Sequence, residues 1–247
     1  MRRMRIDGNS YINDSRKLYN PTQISQDLLN NVTDFSYEMC FGIGHHRRYR
    51  TGGQMIRRAG EQFCNTFQGK LSEVVLRDFL LKKGLECGEP DFKVYGEGVW
   101  DDTDLVVNNK SISVKSAAHF SNLLLLERKD YDENGNYLPN LNSGATASYD
   151  YYILVRLKPD LKGVFKSNRL LYSDDISRPI LESIINSQDW SYDIAGWISH
   201  DDFVSVIKER LIIPQKALLN GRIPMDAENY YIQSGDMRNI EDLVRIL

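Results

Sequence analysis

The sequence has few cysteines and no long apolar run. Its three cysteines, at positions 40, 64 and 87, form an odd and widely spaced set that does not match a disulfide framework. The longest unbroken run of aliphatic residues, 123–126, has four residues, whereas a membrane-spanning helix requires roughly 18 to 20. The basic start of the chain leads into Ile6-Asp7-Gly8-Asn9 and not into the apolar segment of a secretory signal. We therefore expect a soluble, cytoplasmic protein without a membrane partner.

Motifs for zinc, nucleotides and serine hydrolases are also missing. The cysteines, His45 and His46 contain no Cys-x₂-Cys pair, so we expect no structural zinc site. Two Gly-x-Gly pieces, at 42–44 and 96–98, lack the strand and helix that frame a nucleotide-binding loop. There is no Gly-x-Ser-x-Gly nucleophile elbow. The sequence therefore predicts no nucleotide cofactor.

Basic residues are concentrated near the start of the chain. Hydrophobic residues at 41% and charged residues at 26% are typical of globular proteins, and the net charge is −3. Residues 1–60, however, hold ten basic and five acidic residues, a net +5 against −8 for the rest. Five arginines and no lysine lie between residues 47 and 58: Arg47, Arg48, Arg50, Arg57 and Arg58. Guanidinium forks suit phosphate oxygens and guanine edges, so we predict a DNA-contacting segment. The alternative is a solvated loop, or arginines paired with acids such as Glu61 or Asp78.

Hydrophobic periodicity predicts an α/β or α+β domain with a central sheet. Predicted helices cover 53–66 and 70–83, separated at Gly69, and later 176–187, 201–210 and 239–247. Predicted strands cover 93–95, 104–107, 111–114, 123–126, 151–157, 195–198 and 230–232. We expect one domain, with a helix-rich basic region at 1–68, a catalytic core at 69–160 and an α/β completion at 161–247.

The most informative segment is a predicted hairpin at 104–115. If Asn109 and Lys110 form its turn, Asp104 pairs with Lys115. Alternation then places four residues on one face, Asp104, Val106, Ser113 and Lys115, and four on the core face, Leu105, Val107, Ile112 and Val114. An acid and a lysine would thus lie side by side, either as a structural salt bridge or as part of a site.

A helix acid, an acid at the start of a strand and a lysine on the next strand resemble the PD-(D/E)xK nuclease superfamily, which includes many type II restriction endonucleases. The matching residues lie within 69–127: Glu73 after Gln68-Gly69-Lys70-Leu71-Ser72, Asp104, and Lys115 in Val114-Lys115-Ser116. The resemblance implies a restriction-endonuclease-like mixed sheet flanked by helices, in a prokaryotic or phage-encoded homodimer. It also implies Mg²⁺-dependent hydrolysis of double-stranded DNA. Asp104 is then the metal-bridging acid, Lys115 the lysine beside the attacking water, and Glu73 a supporting metal ligand.

Two positions depart from the superfamily pattern. Ser113 stands where Glu or Asp is usual, and Thr103 stands where Pro is usual. Glu127, twelve residues after Lys115, is a candidate for a carboxylate supplied from a following helix. Alternatively Glu73 completes the ligands with a backbone carbonyl and water, or the fold is an inactive DNA-binding module. Asp101 and Asp102 rival Asp104, and a repair, recombination or phage nuclease is the alternative enzyme.

Overall fold

The computed structural model describes residues 1–42, 58–92, 104–141 and 147–247. Its helices are α1 Gln26–Cys40, α2 Ala59–Lys82, α3 Leu138–Leu141, α4 Leu161–Ser167, α5 Arg178–Asn186, α6 His200–Lys208 and α7 Ile240–Ile246, with 3₁₀ turns at Arg128–Asp130 and Ser234–Asp236. Its strands are β1 Arg5–Asp7, β2 Ser10–Ile12, β3 Thr22–Gln23, β4 Leu105–Val107, β5 Lys110–Ala118, β6 Leu123–Glu127, β7 Tyr151–Lys158, β8 Ser191–Ser199, β9 Ile212–Ile213, β10 Leu218–Leu219, β11 Ile223–Pro224 and β12 Asn229–Gln233. None of the helices in the described ranges has the length and hydropathy needed to cross a membrane.

The described strands form three sheets. The central sheet has the order β3-β8-β7-β5-β4, in which β5 and β7 are parallel and the other neighbours are antiparallel. A second sheet has the order β6-β12-β9, and a third has the order β1-β2-β10-β11. The predicted mixed α/β class is therefore confirmed. The expectation of a helix-rich start was incomplete, because β1, β2 and β3 precede α1; each has only two or three residues, too few to give a periodic signal.

Helix α2 packs against one face of the central sheet. Leu71, Val74 and Val75 on α2 share a core with Ile112 and Val114 on β5. The predicted break at Gly69 was wrong, since Gly69 lies inside α2, a single helix of 24 residues. A glycine inside a helix costs only about 1 kcal/mol relative to alanine. Burial of the apolar residues along α2 outweighs that cost.

The opposite face of the central sheet packs on a second core that is rich in aromatic residues. Tyr152 and Leu154 of β7 point into this core, as do Phe203 of α6 and Tyr230 of β12. The two cores lie on opposite faces of β7, because successive side chains of a strand point to opposite sides. The central sheet therefore has a buried apolar core on each of its faces.

Candidate active site

The hairpin of β4 and β5 turns at Asn108 and Asn109. Both residues have positive φ, at 47° and 62°, as a two-residue type I′ turn requires. Asparagine tolerates this left-handed conformation better than lysine does. Lys110 is instead the first residue of β5, and its Nζ lies 2.9 Å from Asp150 Oδ1. The predicted Asn109–Lys110 turn was therefore wrong.

The observed turn at Asn108 and Asn109 shifts the pairing of the two strands by two residues from the predicted pairing. Leu105 pairs with Ile112 and Val107 with Lys110, so Asp104 lies across from Ser113 and not from Lys115. Because the side-chain period of a strand is two, this shift leaves each residue on its predicted face. The predicted faces are confirmed, and the predicted direct pairing of Asp104 with Lys115 was wrong.

Asp104 is anchored through one carboxylate oxygen. Its Oδ2 accepts a hydrogen bond from the backbone N–H of Val114 at 2.7 Å and one from the Ser113 hydroxyl at 3.3 Å. Both bonds end on Oδ2, so within the described part of the chain Oδ1 remains available to a ligand. Ser113 is fully buried and thus orients the acid without adding charge.

Lys115 lies on the same face as Asp104, and the charges near it change its pKa. In the parallel pairing with β7, Ser113 is opposite Tyr152 and Lys115 is opposite Leu154, which places both residues toward the aromatic core. Burial by itself lowers the pKa of Lys115. The charge of Asp104, with smaller contributions from Tyr149, Tyr137 and Asp130, outweighs burial, so the net pKa is raised. Lys115 is therefore an ammonium ion at neutral pH.

A group of tyrosines surrounds these charges. The Tyr131 ring lies 5.3 Å from Tyr137 and 4.9 Å from Phe203, and the Tyr149 ring lies 6.3 Å from Tyr137 and 5.9 Å from Tyr152. Burial, followed by the neighbouring tyrosines and acids, raises the pKa of Tyr131. Burial and then the charge of Asp104 raise the pKa of Tyr149. These phenols stay protonated at neutral pH and can donate hydrogen bonds.

Asp130 and the tyrosines are residues that the sequence reasoning missed. Asp130 ends the 3₁₀ turn after β6, and its charge acts on both Lys115 and Tyr131. Tyrosines occur at 131 and 137, between β6 and β7, and at 149 and 152, just before and within β7. Their concentration is the sequence signal that could have indicated this group of tyrosines.

The structure places Glu73 in a different environment from Asp104. Glu73 Oε2 lies 2.5 Å from Lys70 Nζ, and both side chains are largely buried. Lys70 Nζ in turn lies over the Phe35 ring, 5.3 Å from its centroid. Helix α2 also packs on the apolar face of β5, opposite the face that carries Asp104. Glu73 as a supporting metal ligand stays a prediction, and its carboxylate is ion-paired with Lys70.

Glu127 ends strand β6, which the sequence predicted correctly as a strand at 123–126. Glu127 pairs with Asn229 in the second sheet, and Lys129 Nζ lies 3.3 Å from its Oε2. The reading that made Glu127 a migrated carboxylate needed a helix here, so that premise was wrong. A 3₁₀ turn that ends at Asp130 follows β6.

Most of the predicted DNA-contacting segment lies outside the described residues, namely Arg47, Arg48, Arg50 and Arg57, as do Asp101, Asp102 and the predicted strand at 93–95. Arg58 is described, and it forms an exposed ion pair with Asp174. Glu61 lies 3.6 Å from Lys162, and Asp78 pairs with Lys82. Arg58 therefore pairs with an acid, but with neither of the two acids considered from the sequence.

The donors on this face suit magnesium. Among the described residues, no group of three or more His, Cys, Asp and Glu side chains is arranged to hold a metal ion. Mg²⁺, however, often binds to one or two carboxylates together with substrate phosphate and water. Asp104 Oδ1 is a hard oxygen donor of this kind. A single carboxylate therefore fits a Mg²⁺ ion that is completed by substrate phosphate and water.

Comparisons with known proteins do not add a family. No family model matches the chain, and neither curated proteins nor solved structures include a significant match. The functional proposal therefore rests on the side chains of Asp104, Ser113 and Lys115, which share one face of the hairpin.

Proposed function

We propose that the protein is a Mg²⁺-dependent endonuclease that hydrolyses phosphodiester bonds in double-stranded DNA, of the type II restriction kind. One observation carries the proposal: Asp104, Ser113 and Lys115 share one face of a hairpin, and a second acid, Asp130, acts on the same lysine. An isolated surface salt bridge would need neither the second acid nor the buried phenols around it.

The order of elements supports the same family. Helix α2 precedes the hairpin and packs on its apolar face, and β5 then pairs in parallel with β7. The resemblance to PD-(D/E)xK nucleases implies a mixed sheet flanked by helices. The order of a helix, an antiparallel hairpin and a following parallel strand agrees with that arrangement. Fold similarity alone does not imply activity, so the side chains must carry the argument.

Each residue has a role that follows from its chemistry. Asp104 presents Oδ1 while Ser113 and the Val114 amide hold Oδ2. The Lys115 ammonium orients the attacking water and stabilises negative charge that develops on the phosphoryl oxygens. Mg²⁺ held by Asp104 and Asp130 would supply a Lewis acid and further positive charge. The tyrosines limit access of bulk water, which strengthens these interactions.

Cleavage of supercoiled plasmid tests the proposal. With Mg²⁺ we expect nicked, linear or shorter products, and with a chelator we expect none. Discrete bands would indicate a sequence-specific restriction enzyme, whereas a smear would indicate a repair or phage type of nuclease. Lys115→Met is the test variant, and Lys166→Met, at an exposed position, is its matched control. Intact plasmid with Mg²⁺ or Mn²⁺ under all salt conditions would contradict the proposal.

A catalytically inactive DNA-binding module is the second candidate. It is favoured by Ser113, which contributes no charge to a metal at a position where the superfamily has a carboxylate. A gel-shift assay with duplex DNA separates the two functions, since the inactive module binds but leaves the plasmid intact. A homodimer is part of the restriction proposal, because cutting both strands of a palindrome needs two related sites. Light scattering in the presence of duplex DNA measures it.

A further inference from the structure

Strand β1 forms an open edge of the third sheet. This sheet has the order β1-β2-β10-β11, so β1 has a neighbouring strand on one side only among the described residues. All three residues of β1, which are Arg5, Ile6 and Asp7, are exposed, and Ile6 is 58% exposed although its side chain is apolar. An open edge of this kind can accept another strand through its free backbone N–H and C=O groups.

The turn after β1 determines which backbone groups face the open edge. Two residues join β1 to β2, and the first of them, Gly8, has a φ of 56°, as the first central residue of a type II′ turn does. Asp7 pairs with Ser10 across this turn, and Ile6 lies opposite Tyr11. Hydrogen-bonded and non-hydrogen-bonded pairs alternate along an antiparallel ladder. Because the pair that closes a two-residue turn is hydrogen-bonded, the next pair, Ile6 and Tyr11, is not.

The hydrogen bonds of β2 agree with this pattern. The carbonyl oxygen of Tyr11 accepts a hydrogen bond from the backbone N–H of Asn220 at 2.9 Å, so it points toward β10 and away from β1. The N–H and C=O groups of Ile6 therefore point away from β2, to the open edge. In the described ranges, no loop and no side chain forms a hydrogen bond with Ile6. The edge thus presents one donor and one acceptor on the same residue.

The sequence of β1 is complementary to itself. If two copies of β1 pair antiparallel about Ile6, the N–H of each Ile6 donates to the C=O of the other. Arg5 of each copy then lies opposite Asp7 of the other copy, on one face of the sheet, and the two Ile6 side chains meet on the other face. Neither Arg5 nor Asp7 forms an ion pair within the part of the chain that the structure describes. Both charges are therefore available to a second copy.

The opposite edge of the sheet lacks these properties. Strand β11 contains Pro224, which has no N–H to donate, and proline is one of the residues that prevent pairing at sheet edges. Strand β1 has no proline, and its two charges have opposite signs. A parallel pairing of two β1 strands would place like charges opposite each other, whereas an antiparallel pairing matches them. The edge at β1 therefore favours one partner, a second copy of the same strand.

We propose that β1 is a homodimer contact, in which two copies of the chain pair their β1 strands antiparallel about a twofold axis. The two four-stranded sheets then form one continuous sheet. A twofold axis brings the same patch of both copies together, as a self-complementary strand requires. Three paired residues per copy make a small contact, so the dimer should dissociate on dilution. This contact supplies a surface for the homodimer of the restriction proposal, but it requires neither DNA nor Mg²⁺.

Reversal of single charges tests the contact. Sedimentation velocity of the DNA-free protein from about 1 to 100 μM should show a dimer fraction that rises with concentration. Arg5→Asp places acids opposite acids, and Asp7→Arg places arginines opposite arginines, so each should raise the Kd of the homodimer at least about tenfold. Arg222→Asp, at an exposed position beside β11, is the matched control and should keep the wild-type Kd. Circular dichroism checks that each variant is folded.

An equimolar mixture of the two single variants gives the sharper result. Arg5→Asp and Asp7→Arg are complementary to each other, because every pair across their shared edge then joins an acid and an arginine. We expect a heterodimer with a Kd at or below that of the wild-type dimer, although each variant alone is a monomer at the same concentration. A general effect of either substitution on folding would not be reversed by mixing.

Three results would overturn the proposal. They are a wild type that stays monomeric up to about 100 μM, single variants that dimerise as the wild type does, and a mixture that forms no heterodimer. The nuclease proposal is judged separately by plasmid cleavage. A protein that dimerises through β1 but never cuts contradicts only the nuclease, and one that cuts while its association is insensitive to these charges contradicts only the β1 contact.

Discussion

The two faces of the hairpin formed by β4 and β5 have opposite characters. On the face toward α2, Leu105, Ile112 and Val114 are buried in an apolar core. The other face carries a carboxylate, a hydroxyl and an ammonium group, which belong to Asp104, Ser113 and Lys115. A group of tyrosines lies beside them. Neighbouring members of the two sets are consecutive residues of the chain. A strand can thus carry stability on one side and chemistry on the other.

The difference between the faces concerns what each side chain needs from its neighbours. The aliphatic face needs only close packing, because burial of apolar area is non-directional. The polar face needs specific partners, because a buried charge or hydroxyl without a hydrogen bond is unfavourable. Asp104 meets this need with two donors from β5, and Lys115 meets it with the charges of two acids. Substitutions on the two faces should therefore have separable effects on activity and stability.

The largest effect is expected for substitutions of the polar face. Asp104→Asn and Lys115→Met should each reduce plasmid cleavage at least about 10³-fold, because each removes a charge aimed at the reacting phosphate. Cleavage rates at saturating Mg²⁺ measure the loss, and circular dichroism with a gel-shift assay checks that folding and DNA binding are retained. A rate above one tenth of wild type for either folded variant would remove that residue from the active site.

The aliphatic face should show the reverse behaviour. Ile112→Ala, at a fully buried position, should lower the free energy of unfolding by about 2–5 kcal/mol, because it leaves a cavity under α2. Cleavage by the fraction that remains folded should stay within a few-fold of wild type. Val106→Ala is the matched control on the polar face, where Val106 is 43% exposed, and it should cost less than about 1 kcal/mol. Urea unfolding of the three proteins measures the comparison, and equal losses for both variants would contradict it.

Asp130 lies outside the hairpin, and its charge contributes to the raised pKa of Lys115 on the polar face. Asp130→Asn should reduce cleavage about 10- to 100-fold at limiting Mg²⁺, as expected for a group that helps to hold the metal, with partial recovery at higher Mg²⁺. Glu133→Gln, an exposed position in the same loop, is the control and should cleave normally. Titration of cleavage rate against Mg²⁺ distinguishes them. A normal Mg²⁺ dependence for Asp130→Asn would leave Asp104 as the single carboxylate ligand proposed among the described residues.

The sequence was sufficient to predict the two faces but not the register or the surroundings. Alternation alone placed Asp104 with Ser113 and Lys115, because a period of two does not depend on the turn. The turn itself depended on which residues accept positive φ, and the Asn108–Asn109 pair was overlooked. Gly69 was taken as a break, although a Cβ there would meet no atom within 4 Å and the helix simply continues. The group of tyrosines forms through tertiary contacts between β7, α6 and the segment after β6, and no local sequence pattern reveals such contacts.

The smallest expected effect concerns the pH dependence of stability. The pKa of Lys115 is raised in the folded protein, so its charge stabilises the fold most fully below the pKa of an unfolded lysine, about 10.4. This contribution is lost as the pH rises through the raised pKa, because the neutral amine no longer interacts with Asp104 and Asp130. The difference in unfolding free energy between wild type and Lys115→Met should thus be constant from neutral pH to about pH 9 and shift toward Lys115→Met at higher pH. Lys166→Met, at an exposed position, should show no such trend in the same urea titrations. A difference for Lys115→Met that is independent of pH up to 11 would mean that Lys115 gains no net charge interaction on folding, and its place on the polar face would then rest on packing alone.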